Sequence, residues 1–211
     1  MKKIQLFSLI KIGDRKFMEN LYYNGTIYMN HVSEFVKIED GNVRGDKHEH
    51  LDEQQEINNI VISLKGEDVL RADIGKLQVW NEEPIGNIYS MYMLETVENV
   101  EDLIIDSKCK QFGDTAVIIL KVDEFYDRVK SNIENKGLKV YSGPVDYIDT
   151  NTFFGKWSLF KKPLEYKYQS EFRFVVKRNE ISPLVINIGS LKDIAVIIES
   201  DKIDQLRFSK K

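Results

Sequence analysis

The stretch Tyr166-Lys167-Tyr168-Gln169-Ser170-Glu171-Phe172-Arg173-Phe174-Val175-Val176 gathers the residues best suited to chemistry. Side chains alternate across a strand, so Glu171, Arg173 and Val175 share one face while Phe172, Phe174 and Val176 share the other. The aromatic and valine face belongs in a core. Glu171 is then left on the opposite side at the strand's start, with Gln169 in the loop before it. A carboxylate at the mouth of a sheet can orient a sugar hydroxyl, accept a proton or stabilise a developing cation. Tyr166 and Tyr168 can stack on a flat ring, and Lys156, Lys161, Lys162 and Lys167 can meet phosphates. The competing reading is structural: an edge strand whose outward Glu171 and Arg173 pair with neighbours or water, beside tyrosines that pack and lysines that flank a buried apolar face.

A second cluster is Arg44-Gly45-Asp46-Lys47-His48-Glu49-His50. The Arg44 guanidinium can clamp a carboxylate or phosphate in two-pronged fashion. His48 and His50, with Glu49, Asp52 or Glu53, are metal-ligating types, but the spacing of helical zinc enzymes is absent and no metal is expected. A charged loop that carries two histidines is the simpler reading. Arg-Gly-Asp as an adhesion tripeptide would need an extracellular context, for which the sequence gives no sign. Cys109 lies between Lys108 and Lys110, which favour a thiolate, yet no histidine is placed to pair with it. Glycine-rich phosphate loops and a G-x-S-x-G elbow are missing.

The elements that must position these residues read as strands with few helices. Lys3–Ile12 is a strand, and Asp14 caps a short helix with Phe17, Met18, Leu21 and Tyr22 on one face. Asn24-Gly25 ends that helix, and Thr26–Val32 is the next strand. The acidic stretch Glu39–Glu56 is expected to be a surface loop running into a polar helix. Strands follow at Ile60–Leu64, Val69–Ala72, Lys76–Trp80 and Asn87–Leu94. Thr115–Val122 is almost wholly apolar and suits a central strand covered on both faces. Asp123 caps a helix that buries Phe125, Val129 and Ile133 and ends at Gly137. Leu138–Ile148 reads as a strand broken at Gly143-Pro144. Thr152–Lys162 is expected to be a short amphipathic helix burying Phe153, Trp157 and Phe160. Strands close the chain at Glu171–Lys177, Leu184–Ile188 and Ile194–Glu199. The sum is a single α+β domain on a mixed or largely antiparallel sheet, one that can be split, with a few flanking helices.

Bulk properties narrow the function classes. A chain of 211 residues can bury a core without staples, and its single cysteine rules out an intramolecular disulfide, which suits a reducing, cytoplasmic setting. No apolar run approaches the ~20 residues of a membrane helix. A net charge of −4, with the basic residues scattered, disfavours general binding to a nucleic-acid backbone.

Gln169-x-Glu171 leading into an apolar strand resembles the glutamine-x-glutamate element of the mono-ADP-ribosyltransferases. Tyr89-Ser90-Met91 resembles that family's middle serine strand, with Ser90 at its first serine and Tyr92 where a second serine would stand. The resemblance implies a split mixed sheet holding NAD as substrate in a central cleft, with no metal. Glu171 would orient the ribose and stabilise an oxocarbenium-like transition state. Ser90 would support it, and Arg44 or His31 would hold the nucleotide. Tyr89, Tyr168, Gln169 and Arg173 would complete its binding site. The family's early arginine has no counterpart on the first strand. The chain also resembles a widespread group of bacterial and phage proteins without an agreed activity, through Tyr28-Met29-Asn30, Arg44-Gly45-Asp46 and Glu171-Phe172-Arg173. Two functions follow as expectations: an ADP-ribosyltransferase-like protein, or a non-catalytic protein, phage- or mobile-element-encoded, that binds a nucleotide signal or blocks a host protein. The sign of the second would be Glu171 ion-paired to Arg173 or a lysine in a filled cleft.

Overall fold

The computed structural model describes residues 6–37, 47–82, 85–95 and 103–207. Strand β1 (Leu6–Gly13) leads into α1 (Arg15–Asn24), β2 (Thr26–His31) and α2 (Val32–Lys37). A 3-10 turn at Lys47–His50 opens a long hairpin of β3 (Leu51–Leu64) and β4 (Glu67–Trp80). Next come β5 (Asn87–Glu95), a 3-10 turn at Ser107–Phe112, β6 (Thr115–Ile119) and α3 (Val122–Glu134). The last third holds β7 (Val140–Pro144), β8 (Asp146–Ile148), β9 (Gly155–Lys156), β10 (Lys161–Pro163), a 3-10 turn at Leu164–Gln169, β11 (Glu171–Val176), β12 (Leu184–Asn187) and β13 (Ala195–Glu199).

The main sheet has eight strands, all paired antiparallel, in the path β12-β2-β5-β1-β6-β13, with β11 and β7 joined to the other side of β5. The ribbon of β8 and β10 is parallel. This is the expected α+β class with a mixed, largely antiparallel arrangement.

The sheet is split at β5. β1 pairs with β5 as far as Ile10↔Tyr92, then peels away and stays with β6 through Gly13↔Thr115. β2 reaches β5 only at Asn30↔Ile88 and His31↔Asn87. Tyr89, Ser90 and Met91 therefore sit between two diverging wings, while their other edge is held by β11 along Glu171↔Tyr92 to Val176↔Asn87. Lys11 bridges the gap, its ammonium donating to the Ser90 carbonyl at 2.7 Å.

Packing follows the alternation of the strands. Leu9, Met91, Val117, Phe172, Phe174 and Val176 turn to one face, where Met18 and Leu21 of α1 and Phe125, Val129 and Ile133 of α3 cover them. The opposite face carries two smaller apolar clusters. One gathers Ile10, Leu94, Cys109, Ala116, Ile118 and Ile203; the other gathers Val32, Ile88 and Val175 with Phe35, Leu159 and Phe160. The polar residues of interest lie between them.

Several expectations need correction. Leu51–Glu56 is strand, not a polar helix, and the three short strands expected over 60–80 are parts of two 14-residue strands. Pairing with β4 satisfies a backbone whose side chains show no helical stripe. Thr152–Lys162 forms turns and two short strands rather than a helix; Gly155 adopts φ +137°, which breaks any helix there. Phe17 points to solvent instead of joining Met18 and Leu21. Lys121, not Asp123, occupies the cap position of α3, whose first turn carries Asp123 and Glu124. Residues 3–5 of the first strand and 39–46 of the charged loop lie outside the described residues.

Candidate functional site

Glu171 and Arg173 point to the face away from the two long helices, as their alternation with Phe172 and Phe174 requires. They do not face solvent. β11 lies between β5 and β7, so it is an interior strand, and all six of its residues are buried. The edge-strand reading is thereby overturned.

Both charges are neutralised in place. One Glu171 carboxylate oxygen accepts from Lys162 Nζ at 2.6 Å, and the other from Arg173 Nε at 2.7 Å. The Arg173 guanidinium also holds Glu49 with two prongs, at 2.6 and 3.2 Å, and donates to the Leu159 carbonyl at 2.6 Å. Lys162 donates in addition to Gln169 Oε1 at 2.6 Å and lies 4.8 Å above the Tyr166 ring. The Glu171 backbone N–H donates to the Tyr147 hydroxyl at 2.8 Å. No side chain of the four ions exceeds 9 % exposure, so two carboxylates and two cations make a net-neutral cluster in a dry setting.

The electrostatic consequences follow from that dryness. Burial pushes the Glu171 carboxyl up, but Arg173 and Lys162 outweigh it and hold the group well below the usual carboxylate range. Burial likewise disfavours the Arg173 cation, and Glu171 with Glu49 more than restores it. Glu171 is thus held as a carboxylate at neutral pH, with its charge already balanced.

Beside this cluster the split in the sheet leaves a cavity of about 80 Å³, lined by Lys11, Ser90, Tyr92, Cys109, Gln169 and Glu171 among others. Pockets for drug-sized ligands run to about 300–1,000 Å³. The enclosed space accommodates a few waters or a small fragment. Burial, reinforced by Asp106 and Glu171, pushes the Cys109 thiol up to about 12, so the flanking lysines do not activate it. Burial, followed by Cys109, likewise pushes the Tyr92 phenol up to about 12.

Three of the residues singled out in the sequence, Ser90, Gln169 and Glu171, line this cavity. Arg173 stands directly across the strand pair from Ser90. Tyr168 borders the same region: its hydroxyl accepts from the Gln169 amide at 3.2 Å and its carbonyl accepts from the Cys109 thiol. Tyr89 is not brought in; it turns to the helix-covered face and packs in the main core. His31 is buried at the end of β2, its Nδ1 2.8 Å from the Ser33 hydroxyl, and is not part of the cavity lining. Arg44 lies outside the described residues. Two of the charged loop's metal-ligating types are engaged elsewhere: the His48 ring packs against Trp80 and Trp157, and Glu49 is held by Arg173. Among the described residues no three His, Cys, Asp or Glu side chains converge on a metal position.

Glu171 paired to Arg173 and a lysine is the sign expected of the non-catalytic reading; the choice of Lys162, the Tyr147 hydroxyl at the Glu171 N–H and Glu49 on Arg173 are not signalled by any sequence spacing. Glu49 is 124 positions from Arg173, and no local spacing signals such a contact. Comparison with protein-family models, curated proteins and solved structures gives no match.

Proposed function

We propose that this chain is a non-catalytic binding protein, in which Glu171 holds the fold together and the partner is a protein or a nucleotide signal. The observation that supports this reading is the neutralised carboxylate, with two cations within 2.7 Å of its oxygens. A carboxylate that stabilises an oxocarbenium ion must have its charge free to face the reacting sugar. Here that charge already faces Lys162 and Arg173, and the enclosed space beside it accommodates a few waters or a small fragment. The test is titration of the protein with NAD, together with an assay for released nicotinamide. Neither saturable binding nor release is expected from folded protein. Saturable release that vanishes in Glu171→Ala, and in the uncharged-site variant Ser90→Ala, would overturn the proposal.

A second reading is the ADP-ribosyltransferase-like one, favoured by the meeting of Ser90, Gln169 and Glu171 at the split in the sheet. It requires the wings carried by β1 and β2 to part and Lys162 to leave Glu171. The same titration distinguishes the two.

A further inference from the structure

We infer that a second copy of this chain adds to the free edge of β4, antiparallel and about a two-fold axis at Ala72, so that the hairpin arms of two molecules join in one four-stranded sheet. Among the described residues the contacts that anchor the arm gather towards its base, with Lys76 donating to the Thr150 carbonyl. The Trp157 backbone N–H donates to the Asp52 carbonyl at 2.7 Å, β9 pairs with Glu53 and Gln54, and His48 stacks on Trp80. Beyond Gln54, β3 has β4 as its sole paired strand among the described residues, and β4 ends its sheet. Fourteen residues at ~3.3 Å each carry the arm some ~45 Å along its length. Two strands alone are marginal in water, and three or more are needed for independent stability.

The arm's surface is also unlike that of a monomer. Ten large apolar side chains from Ile57 to Trp80, including Leu64, Leu70, Ile74 and Leu77, are 36–64% exposed. Apolar surface gathered in this way marks an interaction site. The tip is not built for a lipid or nucleic-acid surface: residues 57–75 contain Lys65 and Arg71 against Glu67, Asp68 and Asp73.

What identifies the occupant is the charge order along β4. Counting outward from Ala72, Arg71 and Asp73 stand one step away on either side, and Leu70 and Ile74 stand two steps away. An antiparallel pairing centred on Ala72 sets Arg71 of one copy against Asp73 of the other, twice, and Leu70 against Ile74, twice. Beyond this block the register ends: a bulge lies between Leu70 and Asp68, Asp68 holds Arg71 of its own chain at 2.6 Å, and Lys76 donates to the Thr150 carbonyl. The central block is its own complement, which is what a two-fold interface demands. Pairing satisfies the open edge and gives each hairpin two further strands.

Sedimentation velocity on the full chain, from low to high micromolar, tests this. The wild type is expected to dimerise with rising concentration. Asp73→Arg sets arginines opposite each other while leaving the Arg71–Asp68 pair of each chain in place, and is expected to weaken the dimer at least about tenfold. The swap Arg71→Asp with Asp73→Arg restores complementarity, and with it the dimer. Both positions are solvent-exposed, so the variants retain the fold, as circular dichroism would verify. A wild type that stays monomeric, or a dimer indifferent to Asp73→Arg, or a swap that fails to rescue, overturns the proposal.

Discussion

At the scale of single residues, the decisive feature is how Glu171 is partnered. Taking an ion out of water costs several kcal/mol, and that cost is recovered only where geometry is good and remaining donors are used. Arg173 uses Nε and both terminal nitrogens on Glu171, Glu49 and Leu159, and Lys162 meets Glu171 and Gln169. The carboxyl's lowered pKa carries a pH dependence. A group depressed in the fold adds stability that is fully present above its unfolded value, about 4.3, and is lost as pH falls through the folded value. Urea unfolding measured down the acid range should therefore show the wild type losing stability below about pH 4.3, continuing to much lower pH. Glu171→Gln, which has no proton to take up, should show a shallower decline. Equal slopes would mean that the carboxyl is not held ionised by the fold.

At the scale of elements, the chain places its polar cluster by tying separate segments to one strand. Glu49 comes from the turn before the hairpin, Lys162 from β10, Tyr147 from β8, and Gln169 from the turn before β11. Those contacts fix the parallel ribbon and the base of the arm against the sheet face. The opening β1-α1-β2 unit depends on a different detail. Gly25 ends α1 at φ +67°, and a Cβ there would fall on the backbone of Gly189. Gly25→Ala should cost about 1–3 kcal/mol from conformation alone, and more from the collision, read as a lowered melting temperature. A melting temperature equal to wild type would contradict that. This helix stop was legible because Asn-Gly is a local signal. Phe125, Val129 and Ile133 were legible for the same reason, their spacing of four falling on one helix face. Thr152–Lys162 misled because its aromatics at near-helical spacing serve short strands and turns. The length of β3 and β4 was hidden by polar residues that interrupt each apolar run, and these are tolerated because the arm is solvated on both faces.

At the scale of the whole molecule, the α+β class, the face carrying Glu171 and its pairing with Arg173 or a lysine were legible, while the identity of that lysine and the contact of Glu49 with Arg173 were not. A contact between Glu49 and Arg173 depends on the global path of the chain, which local patterning does not encode. Ser90 reached the same cavity as Glu171 because β5 and β11 are neighbours in register, and Gln169 because the turn before β11 carries it there, whereas Tyr89 fell on the opposite face by parity alone. The resulting architecture is a split sheet closed by a buried, neutral ion cluster. Whether that cluster serves stability or turnover is open to one direct measurement: the equilibrium unfolding free energy of Glu171→Gln at neutral pH. The structural account predicts a loss of about 3–5 kcal/mol, because Lys162 and Arg173 would be left buried with one carboxylate between them. A variant as stable as the wild type, or more stable, would contradict it, since replacing a residue kept for activity commonly costs no stability.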